Sequence, residues 1–193
     1  MALHSYALTT VDDAKTWLDV SGTDYDSLLE LLINQSTDYM EHYCNRRFTE
    51  TAYSSEEYDG SGTKELLLEQ WPVNSGETFT LQRNRAYDNT DDWDTIDADD
   101  YWVDYDNGII TGNTMGDFLK RKFKYRVDYT AGYATIPSDL ALCCLMLVSF
   151  FWNKRKAMGI SRERVGDFSV DFGEMMTDIN IRNVLERYKR HSL

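Results

Sequence analysis

Cysteine, proline and histidine are scarce in this chain, and each shortage removes a class of function. Three cysteines, Cys44, Cys143 and Cys144, do not make a disulfide framework, and none stands in zinc-site spacing. His4, His42 and His191 are scattered, none with a nucleophile or ligand partner in spacing. The serines lack a G-x-S-x-G turn, and the glycines form neither a phosphate loop nor a G-x-G-x-x-G pattern. The expectation is therefore no catalytic residue, no metal and no cofactor. With only 2 prolines, and with 42% hydrophobic and 13% aromatic residues, the composition is that of an ordered globular protein and not of a disordered tail. The amino terminus MALHSYALTT lacks the charged and apolar regions of a signal peptide, which with the cysteine usage points to synthesis in a reducing cytoplasm.

Basic residues are nearly missing from the first part of the chain. Residues 1–119 hold 6 Lys and Arg against 25 Asp and Glu, a net −19, whereas 120–193 hold 14 against 8, a net +6. A molecule so polar end to end favours head-to-tail or ring-like stacking on charged partners over gripping nucleic acid with its whole surface. At 193 residues, one domain is favoured over two.

What is present is organised around 138–159, SDLALCCLMLVSFFWNKRKAMG. From Leu140 to Trp152 only Ser149 is not apolar. Ser138 as cap, or Pro137 in the first turn, starts a helix there. Asp139 suits its positive end, Lys154, Arg155 and Lys156 its negative end, and Gly159 stops it. The run is shorter than the ~20 residues a bilayer requires, so it reads as a core helix, one that a neighbouring subunit could complete. Ahead of it, Thr10 and Asp13 stand in capping-box spacing before a short helix with Val11, Ala14, Trp17 and Leu18 on its apolar face, ended by Ser21-Gly22. A longer helix over 23–46 carries Leu28, Leu32, Gln35 or Ser36, Tyr39 and Tyr43 on one stripe, with Leu29, Ile33 and Met40 beside it. The chain closes with a helix over 178–190, Ile181, Val184, Leu185 and Tyr188 inward.

Between the helices, 48–130 reads as short strands: 51–58 and 64–69 about a hairpin turn DGSG, then 78–83, then 100–105 and 108–111 about Asp106-Asn107. The strand KFKYRVDYT sets Phe123, Tyr125, Val127 and Tyr129 on one face and Lys124, Arg126, Asp128 and Thr130 on the other. Its basic start, KRKFKYR, has the composition of a nucleic-acid-binding strand, but also that of a plain solvent face. The stretch 87–106 holds nine aspartates and no basic residue. It reads as a solvated loop, since Asp104, Asp106 and Gly108 lack calcium-loop spacing. Over 160–173, Phe168, Val170 and Phe172 alternate with polar residues, as in a strand added to the sheet or a loop ordered against another subunit.

The order of pieces carries more than any one of them. Leu8-Thr9 through Lys15-Trp17-Leu18, Asp26-Ser27-Leu28-Leu29 and Cys44-Asn45-Arg46-Arg47-Phe48 come first. Tyr58-Asp59-Gly60, Leu66-Leu67-Leu68 and Trp71-Pro72-Val73 follow, and then Val127-Asp128-Tyr129-Thr130-Ala131-Gly132-Tyr133 with Ile136-Pro137 and the apolar helix. This succession resembles the head-tail connector (head completion, adaptor) proteins of tailed bacteriophages over nearly the whole chain; the acidic 87–106 is not part of the pattern. The resemblance implies an α+β fold: a small α-helical bundle of two amino-terminal helices, a long central apolar helix and a carboxy-terminal helix, with an inserted antiparallel β layer. All of 1–193 would be one connector domain, its helical core 9–47 and 137–193 and its β region about 48–131. It further implies a virion protein of the portal vertex, no enzyme and no membrane protein, that forms a ring, by likeness twelvefold. The ring would join the portal to the tail or a second connector and extend the channel through which DNA passes without specific binding. The carboxy-terminal segment would engage the portal, with Arg182, Arg187, Lys189 and Arg190 as contacts. Asp91, Asp92, Asp94, Asp97, Asp99 and Asp100 would face the lumen or the tail. A DNA-binding or packaging-associated protein using KRKFKYR is the alternative.

Overall fold

The computed structural model describes residues 2–85, 92–119, 124–155, 162–165, 168–171 and 179–189. In chain order its elements are α1 (Val11–Leu18), α2 (Asp26–Cys44), β1 (Thr51–Tyr58), β2 (Glu65–Leu67), β3 (Thr80–Asn84), β4 (Trp93–Thr95) and a 3-10 turn at Ala98–Asp100. There follow β5 (Tyr101–Asp104), β6 (Ile109–Gly112), β7 (Tyr125–Ala131), α3 (Ser138–Lys154), β8 (Arg162–Val165), β9 (Phe168–Asp171) and α4 (Ile179–Tyr188). The fold is α+β, and every strand pair within its sheets is antiparallel. The chain divides into two compact units, Met1–Phe48 with Thr135–Leu193, and Thr49–Ala134.

The first unit is helical. Thr10 caps α1 as its spacing predicts: the hydroxyl accepts from the Asp13 amide at 3.1 Å and donates to the Asp13 carboxylate at 2.6 Å. The helix stops at Asp19, in the left-handed region at φ 54°, before Ser21-Gly22 is reached. Of its apolar residues Ala14 is buried, whereas Trp17 is 47% exposed, contrary to the inward face expected for it. In α2 the fully buried stripe is Leu29, Ile33, Met40 and Cys44, with Ser36 and Thr37 between. Of the stripe expected to lead, Leu32 and Ser36 are buried, whereas Leu28, Tyr39 and Tyr43 flank the buried residues. The small hydroxyl residues let another helix approach there, so polarity misled the choice of face. Ser36 spends its hydroxyl on the Leu32 carbonyl at 2.7 Å, and Thr37 contacts the Cys144 thiol of α3 at 3.9 Å.

Helix α3 has Pro137 in the cap position and no side-chain cap; the Pro137 carbonyl accepts from Ala141 at 3.0 Å. The predicted stop at Gly159 lies outside the described residues. Leu140, Cys143, Cys144, Leu147 and Val148 are buried, and α1, α2 and α4 all pack on this helix. On α4, Ile181 and Leu185 are buried, and the Tyr188 hydroxyl reaches both carboxylate oxygens of Asp139, at 2.8 and 3.0 Å. At the end of α2, buried Glu41 accepts from the Phe48 amide at 3.1 Å and from Arg47 at 2.6 Å. Burial nonetheless pushes its carboxyl above the ordinary value. Strands β8 and β9 pair with each other as a separate two-stranded sheet, so the expected strand in 160–173 is a hairpin rather than an addition to the larger sheet.

The second unit contains two sheets, ordered β1-β7-β3-β4 and β2-β6-β5. They share one core that includes Leu66, Leu81, Ile96, Ile110, Phe118, Tyr125, Val127 and Tyr129. Strand β7 alternates as read, Tyr125, Val127, Tyr129 and Ala131 buried and Arg126, Asp128 and Thr130 half-buried between them; Phe123 lies outside the described residues. The turn DGSG, however, does not close a hairpin, because β1 pairs with β7 and β2 with β6. Its partner is the distant segment 118–119. The Gly62 amide donates to the Phe118 carbonyl and the Phe118 amide to the Thr63 carbonyl, both at 2.7 Å, and a Cβ on Gly60 would stand 1.7 Å from the Leu119 carbonyl oxygen. Asp106-Asn107 does turn β5 into β6, with Gly108 at φ 64°. Asp104 closes that turn, accepting from the Asp106 and Asn107 amides at 3.1 Å and the Asn107 side chain at 2.8 Å; these bonds, that from the Asn107 side chain foremost, hold its carboxyl below the ordinary range.

A bulge in β1 shapes the centre of this core. Tyr53 faces Tyr129 and Glu56 faces Val127, so Ser54 and Ser55 together oppose Asp128, with Ser55 at φ 55° and its amide on the Asp128 carboxylate at 2.5 Å. The extra residue brings Tyr53, Glu56 and Tyr58 to one face. Tyr53 stacks on Tyr129 at 5.3 Å, and the Tyr129 hydroxyl donates to Glu56 at 2.6 Å and lies 3.0 Å from that of Tyr58, which also bonds Glu56.

Candidate interaction surfaces

The basic candidates are on or beside α4 and fall into two groups. Leu185 and Ile181 point inward, so Arg182, Glu186 and Lys189 share one flank, toward α2. There Glu186 accepts from the Tyr43 hydroxyl at 2.5 Å and pairs with Lys189 at 3.7 Å, while the Lys189 ammonium lies 4.9 Å from the centre of the Tyr43 ring. The Tyr43 bond, with Lys189 and Arg182 nearby, holds the Glu186 carboxyl below its ordinary value. Arg187 is on the opposite flank, exposed, its Nε 3.4 Å from the Asn183 carbonyl. Arg190 lies outside the described residues.

The acidic candidates sit in a more ordered setting than a solvated loop. Asp94 is on β4, a strand the sequence reading missed, and pairs with Arg85 at 2.5 Å and Arg83 at 3.4 Å, so its charge is largely matched. Asp97 caps the 3-10 turn by accepting from the Asp99 amide at 3.1 Å. Asp100 accepts from the Thr114 hydroxyl, and its carbonyl takes the Asn113 amide at 2.8 Å. Asp92, Asp97 and Asp99 are exposed. Asp91 lies outside the described residues. Beside them stands Trp102, 68% exposed, which alternation alone would place outward from buried Ile110 on the paired strand.

The basic strand offers little to phosphate among its described residues. Lys124 is only 5% exposed, and Arg126 is held by Glu57 at 2.7 Å and lies over the Trp93 ring at 4.0 Å. Residues 120–123 of KRKFKYR lie outside the described residues. Among the described residues no group of three His, Cys, Asp or Glu is placed to hold a metal ion, and no helix is long and apolar enough to cross a membrane. The three cysteines form no disulfide and are buried, and burial pushes the thiols of Cys44 and Cys144 up to about 12.

A groove of about 500 Å³ opens between α1 and α3, lined by Asp13, Thr16, Trp17, Ala141, Leu142 and Leu145 among others. Trp17 and Leu142, at 47% and 44% exposure, are large apolar side chains left in water on neighbouring helices. The sequence signal for this surface was the surplus of apolar residues in 140–152, more than one buried face requires.

The fold is shared with solved neck structures of gene transfer agent particles. A chain from the neck of an empty particle, computed with C6 symmetry, superposes with a TM-score of 0.54 at 14% identity, covering 95% of this chain and 90% of that one. A chain of the native virion matches at 0.54 and 17%, over 100% and 94%. One from the native neck, computed with C12 symmetry, matches at 0.51 and 17% over the same shares. At such identities the likeness is one of fold. No curated protein matches the sequence. The head completion protein family, by contrast, matches residues 7–191, nearly the whole chain, with the helical unit and the sheet unit both inside the match: the chain belongs to the head completion protein family.

Proposed function

We propose that this protein is a structural component of the virion neck, a connector whose copies form a ring between the portal and the tail or a second connector. The family match over 7–191 carries the reading. The likeness of fold to chains of gene transfer agent necks, over the whole length, supports it. Its two units work as one connector domain, with α3 at the centre of the helical part, and the ring, twelvefold by analogy with the C12 neck, prolongs the DNA channel.

Charge assigns the ends. The basic carboxy-terminal segment, with Arg182, Arg187, Lys189 and Arg190, docks on the portal. The side carrying Asp91, Asp92, Asp97, Asp99 and Asp100 faces the lumen or the tail, Asp94 contributing less because Arg83 and Arg85 offset it. Exposed carboxylates repel phosphate over about 8 Å at physiological salt, which suits a conduit and not a clamp. The pairing of Arg126 with Glu57 and Trp93 weighs against the DNA-binding alternative.

Co-sedimentation with the portal ring of the same particle tests the docking. The full chain is expected to co-sediment and a chain ended after Asn180 to remain in the supernatant; retention of the truncated chain on the portal contradicts the assignment. Tight, salt-sensitive binding of duplex DNA by the isolated protein contradicts the conduit.

A further inference from the structure

Helix α3 is apolar on more sides than the described residues of its own chain cover. Its buried face meets α2 through Thr37 and Cys144. On one flank α1 forms the groove with Ala141, Leu142 and Leu145; on the other, Tyr188 of α4 reaches Asp139. At about 100° per residue, Leu142, Leu145, Met146 and Ser149 form the stripe opposite the buried one. Leu142 is exposed and Leu145 and Met146 are half-buried, with Trp17 beside them. A helix at a water boundary ordinarily puts charged residues on that side, yet between Leu140 and Trp152 none is present.

The two flanks of this stripe differ in charge. On the α1 side Asp13 lines the groove and its neighbour Asp12 is exposed. On the α4 side Arg187, next to Tyr188, is exposed. The acidic edge, Asp13 with Trp17 and the groove, and the basic edge at Arg187 are two different surfaces of the helical unit, so the acidic edge of one copy can meet the basic edge of the next. Such a contact is heterologous and closes into a ring when the rotation permits.

We propose that the open stripe of α3 with Trp17 seats a second copy of this chain, which brings the Arg187 flank of its α4 to Asp13 and Trp17. A guanidinium there meets a carboxylate and an indole face together. This rests on the ring reading above and adds which surfaces of neighbouring copies touch. This takes Arg187 out of the portal contacts proposed above, while Arg182 and Lys189, on the flank toward α2, stay available for the portal.

The test is engineered cross-linking of the full chain in the presence of the portal ring, with electron microscopy of the same sample. The native thiols are buried, and Thr16 and Arg187 are exposed. On oxidation, the double variant Thr16→Cys/Arg187→Cys is expected to give a ladder of disulfide-linked multimers on a non-reducing gel, and each single variant to stay monomeric. Rings seen in the microscope without a ladder overturn the interface and leave the ring reading standing; no rings at all overturns both. Leu142→Asp, at an exposed position, is expected to keep the wild-type unfolding midpoint and lose the rings. Intact rings of that variant also overturn the proposal.

Discussion

Replacing Gly132 by alanine separates two costs that this fold places on a single residue. Gly132 has φ +109°, and its amide donates to the Pro72 carbonyl at 2.9 Å. A Cβ built there would stand 2.4 Å from the Thr49 carbonyl oxygen, 2.6 Å from its carbon and 2.8 Å from the Glu50 nitrogen. All three are backbone atoms, pinned where Glu50 donates to the Tyr133 carbonyl at 3.2 Å, so the neighbour cannot swing aside as a side chain would. The positive φ costs an alanine about 1–2 kcal/mol, and forced repacking adds about 1–3 kcal/mol. Gly116 serves as the control within the same unit, at φ +78° with nothing within 4 Å of its Cβ position. Gly116→Ala should therefore lose only the first amount and Gly132→Ala roughly 2–5 kcal/mol. Because both glycines lie in the sheet unit, the assay is native-state hydrogen exchange of the β1 and β7 amides, read beside urea unfolding. Equal losses in the two variants would refute the close approach of chain 131–133 to 49–50.

Three further outcomes follow from burial. Leu147→Ala should cost about 2–5 kcal/mol in urea unfolding and Leu142→Ala well under 1 kcal/mol, since the first is fully buried and the second 44% exposed on the same helix. Burial first, and then Glu56 for Tyr58 and Tyr58 with Glu56 for Tyr129, push both hydroxyls far above the ordinary 10.0, so absorbance at the tyrosinate band should show at least two tyrosines that ionise only on unfolding. The sign is fixed by the direction: in the folded state both keep their protons above pH 10, where the unfolded chain releases them, so this contribution to stability is complete below about pH 10 and declines as pH rises. Cys44 and Cys144, raised by burial to about 12, should stay unreactive to a thiol reagent at pH 8 and react in urea; prompt native-state labelling would contradict their burial.

Much of the local structure was legible because its causes are local. Thr10 and Asp13 announce the start of α1, Asp106-Asn107 the β5–β6 turn, and the alternation over Tyr125, Val127 and Tyr129 a half-buried strand. What escaped depends on residues far apart in sequence. Gly60 reads as a hairpin glycine, yet its requirement comes from the Leu119 backbone pressed against it. Strand β4 is short and lies within an aspartate-rich stretch, and Arg83 and Arg85 make Asp94 tolerable there. On α2 the core stripe includes Thr37, which hydropathy alone ranks below Tyr39 and Tyr43. The interaction surfaces were half legible: the excess apolar character of 140–152 pointed to an uncovered face, but that Trp17 shares it, and that Arg187 parts from Arg182 and Lys189, required the packing of α1 and α4. Family membership was legible in the order of motifs, which run along the residues that the family matches, 7–191.

The most direct test of the connector account is electron microscopy of this protein alone and mixed with the portal protein of the same particle. The account predicts a ring stacked coaxially on the portal, its basic end toward the portal and an open channel along the axis. Absence of any complex, together with salt-dependent binding of duplex DNA, would contradict it.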